Sequence, residues 1–295
     1  MTLIDGKKIA AEIKEEIKAE VAGYIDKKDF SPHLAAILVG EDAASETYVA
    51  HKESDCKSVG MTSSIYRLSK DVSELDLLNT IDFINSDDDI HGLIVQLPLP
   101  RHISVDRVIN KIDPAKDVDG FHPVNIGRMV LGHSTYLPAT PYGIMELLRR
   151  YKIETSGKNV VVLGRSNIVG TPLSIMLSRK ANPGNATVTM CHSRSAGLKE
   201  IAANADILIA AIGQPGFVTE EMVKDGATVI DVGIHRVAAP NTKSGFRLVG
   251  DVDFEKVVRK AAYITPVPGG VGPMTRVALL LNTLKAFKLK TGILK

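Results

Sequence analysis

The 295-residue sequence holds little from which to build cross-links or metal centres: its only cysteines are Cys56 and Cys191, far apart in the chain. Two such residues exclude a disulfide framework, and no metal-ligand spacing surrounds either. Both read as reduced thiols in a reducing compartment, and no metal is expected. No apolar run approaches the ~18 residues that span a bilayer. The opening stretch MTLIDGKKIAAEIKEEIK lacks the apolar core of a signal peptide, so a soluble cytoplasmic protein is expected. An excess of one charge is missing as well, with 36 basic residues against 34 acidic ones and no block of like sign. That argues against nucleic-acid or membrane partners held by bulk electrostatics, while leaving room for a small local phosphate site. Internal repeats and low-complexity tracts are also lacking.

What the sequence does contain is an alternation of helical and strand signals, over a length that suits about two domains. Ile9, Ile13, Ile17 and Val21 recur every four residues, the spacing of one apolar helical face. Strands are predicted at 34–40, 63–68 and 92–98, and helices at 45–59, closed by Gly60, and at 73–86. The segment from Pro114 to Thr140 is rich in turn residues and reads as a long ordered loop. A second βα series follows, with strands at 159–164, 186–191, 205–213, 227–233 and 262–268 and a final helix over 275–288. Continuous apolar runs alternating with helices predict parallel strands covered on both faces, an α/β architecture.

NVVVLGRSNIVGTPL reads as a strand, a glycine turn and a helix start. Glycine lets the backbone approach a phosphate, and a helix N-terminus supplies free N–H groups. The pattern built on Gly164, Ser166 and Gly170 is a variant of the dinucleotide fingerprint, so a ligand-free structural turn is the competing reading. The next strand runs into His192, Ser193, Arg194 and Ser195 with no acid for a ribose 2′-hydroxyl. A hydroxyl and a guanidinium suit a 2′-phosphate, and Arg165 adds a second cation, so NADP is expected over NAD.

On the predicted helix from 45, Ser45, Tyr48 and Lys52 share one face. Gln96 falls where a buried strand ends, the place where open parallel sheets bind ligands. Asp117 and Asp119 sit in the glycine turn DVDG, where purely structural carboxylates are the bland alternative. ITPVPGGVGPMT near the end of the chain combines prolines that restrict the backbone with glycines that bare it for close contact. His51, His122 and His192 read as neighbours of these motifs rather than metal ligands.

Together these pieces resemble the bifunctional methylenetetrahydrofolate dehydrogenase–methenyltetrahydrofolate cyclohydrolase family across essentially the whole chain. The carriers are the run from Tyr48 to Lys52, GLIVQLPLP at 92–100, KDVDGFHPVNIGR at 116–128, GRSNIVGTP at 164–172 and ITPVPGGVGPMT at 264–275. The resemblance implies a catalytic folate-binding α/β domain formed by 1–139 plus 275–295 and a Rossmann-type NADP-binding domain over 140–274. It also implies a substrate cleft between the two, a final helix packed on the first domain, and a homodimer. Lys52 matches the family's catalytic lysine, Tyr48 its substrate-stacking tyrosine, Gln96 the glutamine that bonds the lysine, and Asp119 the carboxylate that grips the pterin. Leu97, Pro98, Pro268, Gly269 and Gly270 fall among the folate-binding positions. Gly164, Arg165, Ser166, Ser193, Arg194, Ile234 and Thr275 fall among the cofactor positions. The chain departs from the pattern in a longer link near 180–185 and an extended hairpin at 237–246, neither touching a matched motif.

The implied activity is oxidation of 5,10-methylenetetrahydrofolate with NADP+, followed by hydrolysis of the methenyl product to 10-formyltetrahydrofolate. The chemistry is consistent with those residues: one carboxylate can accept the two adjacent pterin donors, and a lysine made neutral by burial can act as a base. Two other readings compete. A shikimate-dehydrogenase-like oxidoreductase would share the nucleotide half without needing Gln96 and DVDG, and a non-catalytic dinucleotide sensor would bind without turnover.

Overall fold

The computed structural model describes residues 1–28, 30–242 and 245–294. Along the chain it runs β1 (Thr2–Leu3), α1 (Gly6–Lys28), β2 (His33–Val39), α2 (Ala43–Ser58), β3 (Thr62–Leu68), α3 (Glu74–Ser86), β4 (Gly92–Val95), α4 (Val105–Lys111) and α5 (Pro123–Leu131). It continues with α6 (Ala139–Arg150), β5 (Asn159–Leu163), α7 (Gly170–Ser178), β6 (Thr187–Cys191), α8 (Leu198–Ala203), β7 (Ile207–Ala210) and β8 (Thr228–Asp231). The last elements are β9 (His235–Ala238), β10 (Phe246–Val249), α9 (Phe254–Val257), β11 (Tyr263–Ile264) and α10 (Val271–Lys290).

The chain divides into two compact units, one formed by 1–10 with 140–275 and the other by 11–139 with 276–295. The sequence boundaries put residues 1–10 with the first domain, but the structure groups them with the second βα series. The reason is a backbone pairing that no side-chain pattern announces: β1 joins β11 in parallel, with Ile4 N–H donating to Ile264 O at 2.8 Å.

The unit containing 11–139 is built on a three-stranded parallel sheet in the order β3-β2-β4. Every residue of β4 is buried, which requires cover on both faces of the sheet. One face packs Ala35, Ile37, Leu93 and Val95 against Leu77, Ile81 and Ile84 of α3 and Val108 of α4. The chain steps from β2 to β3 on one side and then to β4 on the other. The carboxyl ends of β2 and β4 therefore form a topological switch point, where a crevice opens for ligand. In α1, Ile9, Ile13, Ile17 and Val21 are all buried, as their spacing predicts, and each such side chain contributes about 1.5–3 kcal/mol.

The segment from Pro114 to Thr140, expected as a loop, contains α5. His122 caps it through Nδ1, accepting from Val124 N–H at 3.1 Å. Pro123 occupies the first turn, where its missing N–H is not needed, and Gly132 closes the helix at φ 79°. The turn residues flank a helix here rather than replacing one.

The other unit carries a six-stranded sheet in the order β1-β11-β8-β7-β5-β6, every pairing parallel. With β5 as its first long strand, β6 on one side and β7 on the other, this is the Rossmann arrangement, and its switch point lies at the carboxyl ends of β5 and β7. β7 and β8 are buried at every position. β9 and β10 form the antiparallel ribbon expected at 237–246, although residues 243 and 244 of its tip lie outside the described residues.

Two expectations near the C-terminus are corrected. The strand expected over 262–268 is confined to Tyr263–Ile264, because Pro266 and Pro268 follow and cannot donate to a ladder. The final helix begins at Val271 instead of 275, since Pro273 is tolerated in a first turn.

Candidate functional site

In the unit containing 11–139, the first cluster forms at the switch point of the small sheet. Asp42 starts α2, its Oδ2 accepting from Ser45 N–H at 2.8 Å, directly after β2 ends. That start sets the helix phase so that Ser45, Tyr48 and Lys52 face inward. Lys52 is only 7% exposed. Its Nζ donates to Gln96 Oε1 at 3.2 Å and lies 4.9 Å from the centroid of the Tyr48 ring. Gln96 follows β4, its N–H donating to Ile37 O at 2.9 Å. Its Nε2 donates to Leu97 O at 2.7 Å, which leaves Oε1 for the lysine. The Leu97–Pro98 peptide is cis.

Burial lowers the Lys52 ammonium below its ordinary pKa, with Asp119 and Cys56 opposing the shift. Burial also raises the Asp119 carboxyl, with Lys52 opposing. Burial is the leading cause of the Tyr48 hydroxyl being pushed up to about 12, with Asp119 and Asp55 adding to it. The site thus holds a weakened ammonium bonded to a neutral amide, beside a carboxyl group and an aromatic face.

The two aspartates of the DVDG turn separate in role. Asp117 Oδ1 accepts from Phe121 N–H at 3.2 Å, while Oδ2 accepts from His122 N–H and Asn125 Nδ2, both at 2.8 Å. It is a structural carboxylate. Asp119 makes no hydrogen bond or ion pair among the described residues, so its oxygens are available to a ligand. Gly120, at φ 73°, makes the turn, and a Cβ there would come within 2.5 Å of Leu137 C.

Sequence reading missed the support behind α2. Asp55, three residues beyond Lys52 on the same buried face, pairs with Lys14 of α1, and its Oδ2 lies 3.2 Å from Arg276 Nη1 of α10. Ser45, Tyr48, Lys52 and Asp55 continue one helical spacing, and that was the available signal.

In the unit containing 140–275, the turn after β5 brings Gly164 against the chain following β7. Gly164 sits at φ 125°, and a Cβ would stand 2.1 Å from Ala211 O; a Cβ on Gly170 would stand 2.1 Å from Gly164 O. This backbone cradle tolerates no side chain. Ser166 Oγ accepts from Val169 N–H at 3.2 Å and Gly170 N–H at 3.4 Å, closing the turn into α7. We expect Gly164→Ala to destabilise the protein by about 1–3 kcal/mol, from positive φ and the clash with Ala211. Thermal melts with and without NADP would check it, and an unchanged melting temperature would contradict the cradle.

β6 pairs beside β5, with Gly164 N–H donating to Cys191 O at 2.8 Å. The 192–195 turn therefore follows the strand next to the glycine turn. Arg165, Ser166, Ser193 and Arg194 are all exposed, and no acid stands in the 192–195 turn. A glycine cradle, two serine hydroxyls and two guanidiniums fit a dinucleotide carrying a 2′-phosphate.

Ile234 is 62% exposed on the turn after β8. Two buried aspartates, absent from the sequence reading, hold that turn. Asp231 accepts from Gly233, Asp251 and Val252 N–H groups, and Asp251 accepts from Ile212 and Gly213 N–H groups and lies 2.7 Å from His235 Nε2. Burial pushes Asp231 up to about 6. Thr275 lies inside α10 rather than in the loop before it, with Oγ1 3.0 Å from Thr140 Oγ1. Gly269 accepts from Lys7 N–H at 2.9 Å, and a Cβ on Gly6 would meet Gly270 O at 1.8 Å, so the PGG segment is packed against the start of α1.

Comparison with known proteins matches the chain to two family models. These are the tetrahydrofolate dehydrogenase/cyclohydrolase catalytic domain over residues 4–119 and the NAD(P)-binding domain of the same family over 138–291. It is 59% identical to a bifunctional FolD protein of Bacteroides thetaiotaomicron over 98% of each chain, and 58% identical to one of Cytophaga hutchinsonii over 98% of this chain and all of the relative. Among solved structures it is similar to the bifunctional FolD enzyme of Campylobacter jejuni, with TM-score 0.92, 46% identity and complete coverage of both chains. It is also similar to the Trypanosoma brucei dehydrogenase–cyclohydrolase complexed with NADP and an inhibitor, with TM-score 0.93 and 40% identity over 99% of this chain and 98% of that one.

Proposed function

The chain belongs to the tetrahydrofolate dehydrogenase/cyclohydrolase family, and from that premise we propose how its own residues divide the work of a bifunctional, NADP-dependent enzyme of one-carbon metabolism. The enzyme oxidises 5,10-methylenetetrahydrofolate to the methenyl form and hydrolyses that product to 10-formyltetrahydrofolate. The observation that carries the assignment is Lys52: a buried lysine of depressed basicity, bonded to a neutral amide and placed beside an uncommitted carboxyl group.

Asp119 accepts the adjacent ring N–H and amino group of the pterin, a bidentate contact that fixes the folate. The Tyr48 ring stacks on it, and the backbone around Leu97 and Pro98 bounds it. Gly164, Arg165, Ser166, Ser193, Arg194, Ile234 and Thr275 hold NADP, whose oxidised form supplies the hydride acceptor when bound. Oxidation depends on alignment of the reactants more than on any proton acceptor of the protein. Hydrolysis differs, because water attacking the methenyl carbon must lose a proton. Neutral Lys52 takes that proton, and Gln96 Oε1 orients the amine without contributing charge that would restore the ammonium. In this reading 11–139 with 276–295 is the catalytic part and the Rossmann unit the cofactor part.

The testing experiment is an absorbance time course with 5,10-methylenetetrahydrofolate and NADP+ or NAD+, then with methenyl substrate alone. We expect reduced cofactor to appear with NADP+ and the methenyl absorbance to decay faster than it does spontaneously. Cofactor binding without either signal would overturn the reading. Arg194→Glu should weaken NADP+ by about 10–100-fold and leave NAD+ little changed, because one charge-assisted contact to the 2′-phosphate is lost. Equal weakening of both would place Arg194 elsewhere.

We also place the enzyme in the cytoplasm as a homodimer. Family membership supports the dimer, and the free, buried Cys56 and Cys191 support a reducing compartment. Among the described residues no helix is long and apolar enough to cross a membrane. Sedimentation of the purified chain at a monomer's mass would remove the dimer.

A further inference from the structure

Asp119 makes no hydrogen bond or ion pair among the described residues, so no bond to its side chain fixes where the carboxylate points. A forked contact to two adjacent donors nevertheless needs that group held to within about 0.5 Å. The aim must come from the backbone, because the planar peptides on either side of a residue set its Cα–Cβ direction. The peptide entering Asp119 is pinned through Val118. Val118 N–H donates to Lys116 O at 2.8 Å, and Val118 O accepts from Asn282 Nδ2 at 2.8 Å. The second bond reaches across 164 residues of sequence, from α10.

Asn282 is only 2% exposed, and its amide gives its other proton to Leu137 O, also at 2.8 Å. Two carbonyl partners on one atom identify that atom as the nitrogen, since an oxygen there would face two oxygens. Leu137 is also where Gly120 packs, too close for any Cβ. The peptide before Asp119 thus hangs on Asn282, and the glycine after it is pressed on a residue held by the same amide. Lys285, one turn further along α10, donates to Thr135 O at 2.7 Å; Thr135 Oγ1 donates to Asn125 Oδ1 at 2.6 Å, and Asn125 Nδ2 donates to Asp117. Buried Val277, Leu280, Leu284 and Phe287 anchor the helix that carries both donors. The DVDG turn already closes without Asn282, through Gly120 N–H to Asp117 O at 3.2 Å and the bonds that Asp117 accepts from Phe121 and His122. What Asn282 adds is the orientation of the peptide that leads into Asp119.

We propose that Asn282 is a positioning residue for folate: through Val118 O and Leu137 O it sets the direction of the Asp119 carboxylate, and so the grip of that carboxylate on the pterin. The inference rests on the reading of Asp119 as the pterin acceptor. Asn282 is itself too buried to touch a ligand, whereas Asp119 keeps part of its surface open. Without the amide, two buried carbonyl oxygens lose their donor, and the 118–119 peptide turns to find another. The carboxylate follows that turn, and its fork onto the two pterin donors is reduced to a single bond. Neither the Lys52–Gln96 bond nor the glycine cradle of the Rossmann unit involves Asn282, so the damage falls on folate affinity alone.

The test is steady-state kinetics of the full chain carrying Asn282→Ala, alone and combined with Asp119→Asn. Asn282→Ala should raise the KM for 5,10-methylenetetrahydrofolate by about tenfold or more, since a misplacement of about 1 Å can cost about 100-fold. The KM for the methenyl substrate in hydrolysis should rise by a similar factor, while kcat and the KM for NADP+ stay within about twofold of wild type. A purely structural asparagine would lower the melting temperature and move no KM selectively. In the Asp119→Asn background the same change should add less than about twofold to the folate KM, because the contact it aims is already lost. If Asn282→Ala fails to fold, Asn282→Gln takes its place. It keeps both amide protons but carries them one methylene further, so it should fold while displacing the same peptide and raising the folate KM. An unchanged folate KM in the Asn282 variant beside a raised one in Asp119→Asn would overturn the proposal and leave the folate reading standing. Effects of the two substitutions that simply multiply would also overturn it. An unchanged folate KM in Asp119→Asn would instead remove the reading on which the proposal rests, and the proposal with it.

Discussion

Lys52→Met should leave the dehydrogenase reaction measurable while removing protein-assisted hydrolysis of the methenyl compound, a fall of about 10²–10⁴-fold, the usual worth of a positioned general base. Methionine replaces the buried stem closely and introduces no charge, so the fold is expected to survive. Lys52→Arg should lose hydrolysis too, since a guanidinium keeps its proton at any accessible pH. The pH dependence gives a second readout. Burial places the Lys52 pKa below its ordinary 10.5. Below that lowered pKa the amine is charged and cannot accept a proton, so wild-type hydrolysis should rise as pH increases through it and then level off. The spontaneous reaction must be subtracted at each pH. A Lys52→Met enzyme whose hydrolysis stayed within a factor of a few of wild type, with the same pH profile, would exclude Lys52 as the base.

Asp119→Asn should damage both activities, because both need the folate held. The amide directs an NH₂ group at a pterin edge that itself offers two donors, turning a bidentate contact into a repulsive one. Loss of one partner of a buried charged pair costs about 2–5 kcal/mol. That corresponds to roughly 30-fold up to several thousandfold in kcat/KM for either substrate. The contrast with Asp117→Asn makes the prediction discriminating. Asp119 has no hydrogen-bonding partner among the described residues, so its melting temperature should hold or rise once a buried carboxyl is neutralised. Asp117 accepts three hydrogen bonds that shape the turn, so Asp117→Asn should lower stability by about 1–3 kcal/mol. Were Asp119→Asn to lose stability and Asp117→Asn to lose only turnover, the two roles would have to be exchanged. Asp119 also sets an acid limit. Its raised pKa means the carboxylate is protonated sooner than an ordinary aspartate as pH falls, and folate binding should weaken in that range.

Much of this is legible in the sequence. The strands at β2, β4, β5, β7 and β8 announce themselves as short apolar runs, and a parallel sheet needs apolar side chains on both faces. The pairing of Tyr48 with Lys52 follows from helical spacing once α2 is assigned. The glycine turn at Gly164 and the acid-free 192–195 turn point to the cofactor, because those needs are local to a few consecutive residues. Helix α5 escaped because its flanks, His122 with Pro123 and Gly132, are also the residues of loops; whether they punctuate or replace a helix depends on what the apolar face of NIGRMVL can bury.

The sequence by itself determined the family, the α/β class, the cofactor type and the identities of the chemical groups, since each rests on residue types at short spacing. Tertiary structure alone decided which groups meet and which are already spent. It placed β1 beside β11, set Gln96 Oε1 against Lys52 Nζ and committed Asp117 to the turn while leaving Asp119 uncommitted. It also neutralised Asp55 with Lys14 and Arg276, and tied the carbonyl before Asp119 to Asn282. The physical reason is that a shifted pKa, a satisfied hydrogen bond and a buried charge are properties of neighbours distant in the chain. No local pattern records them.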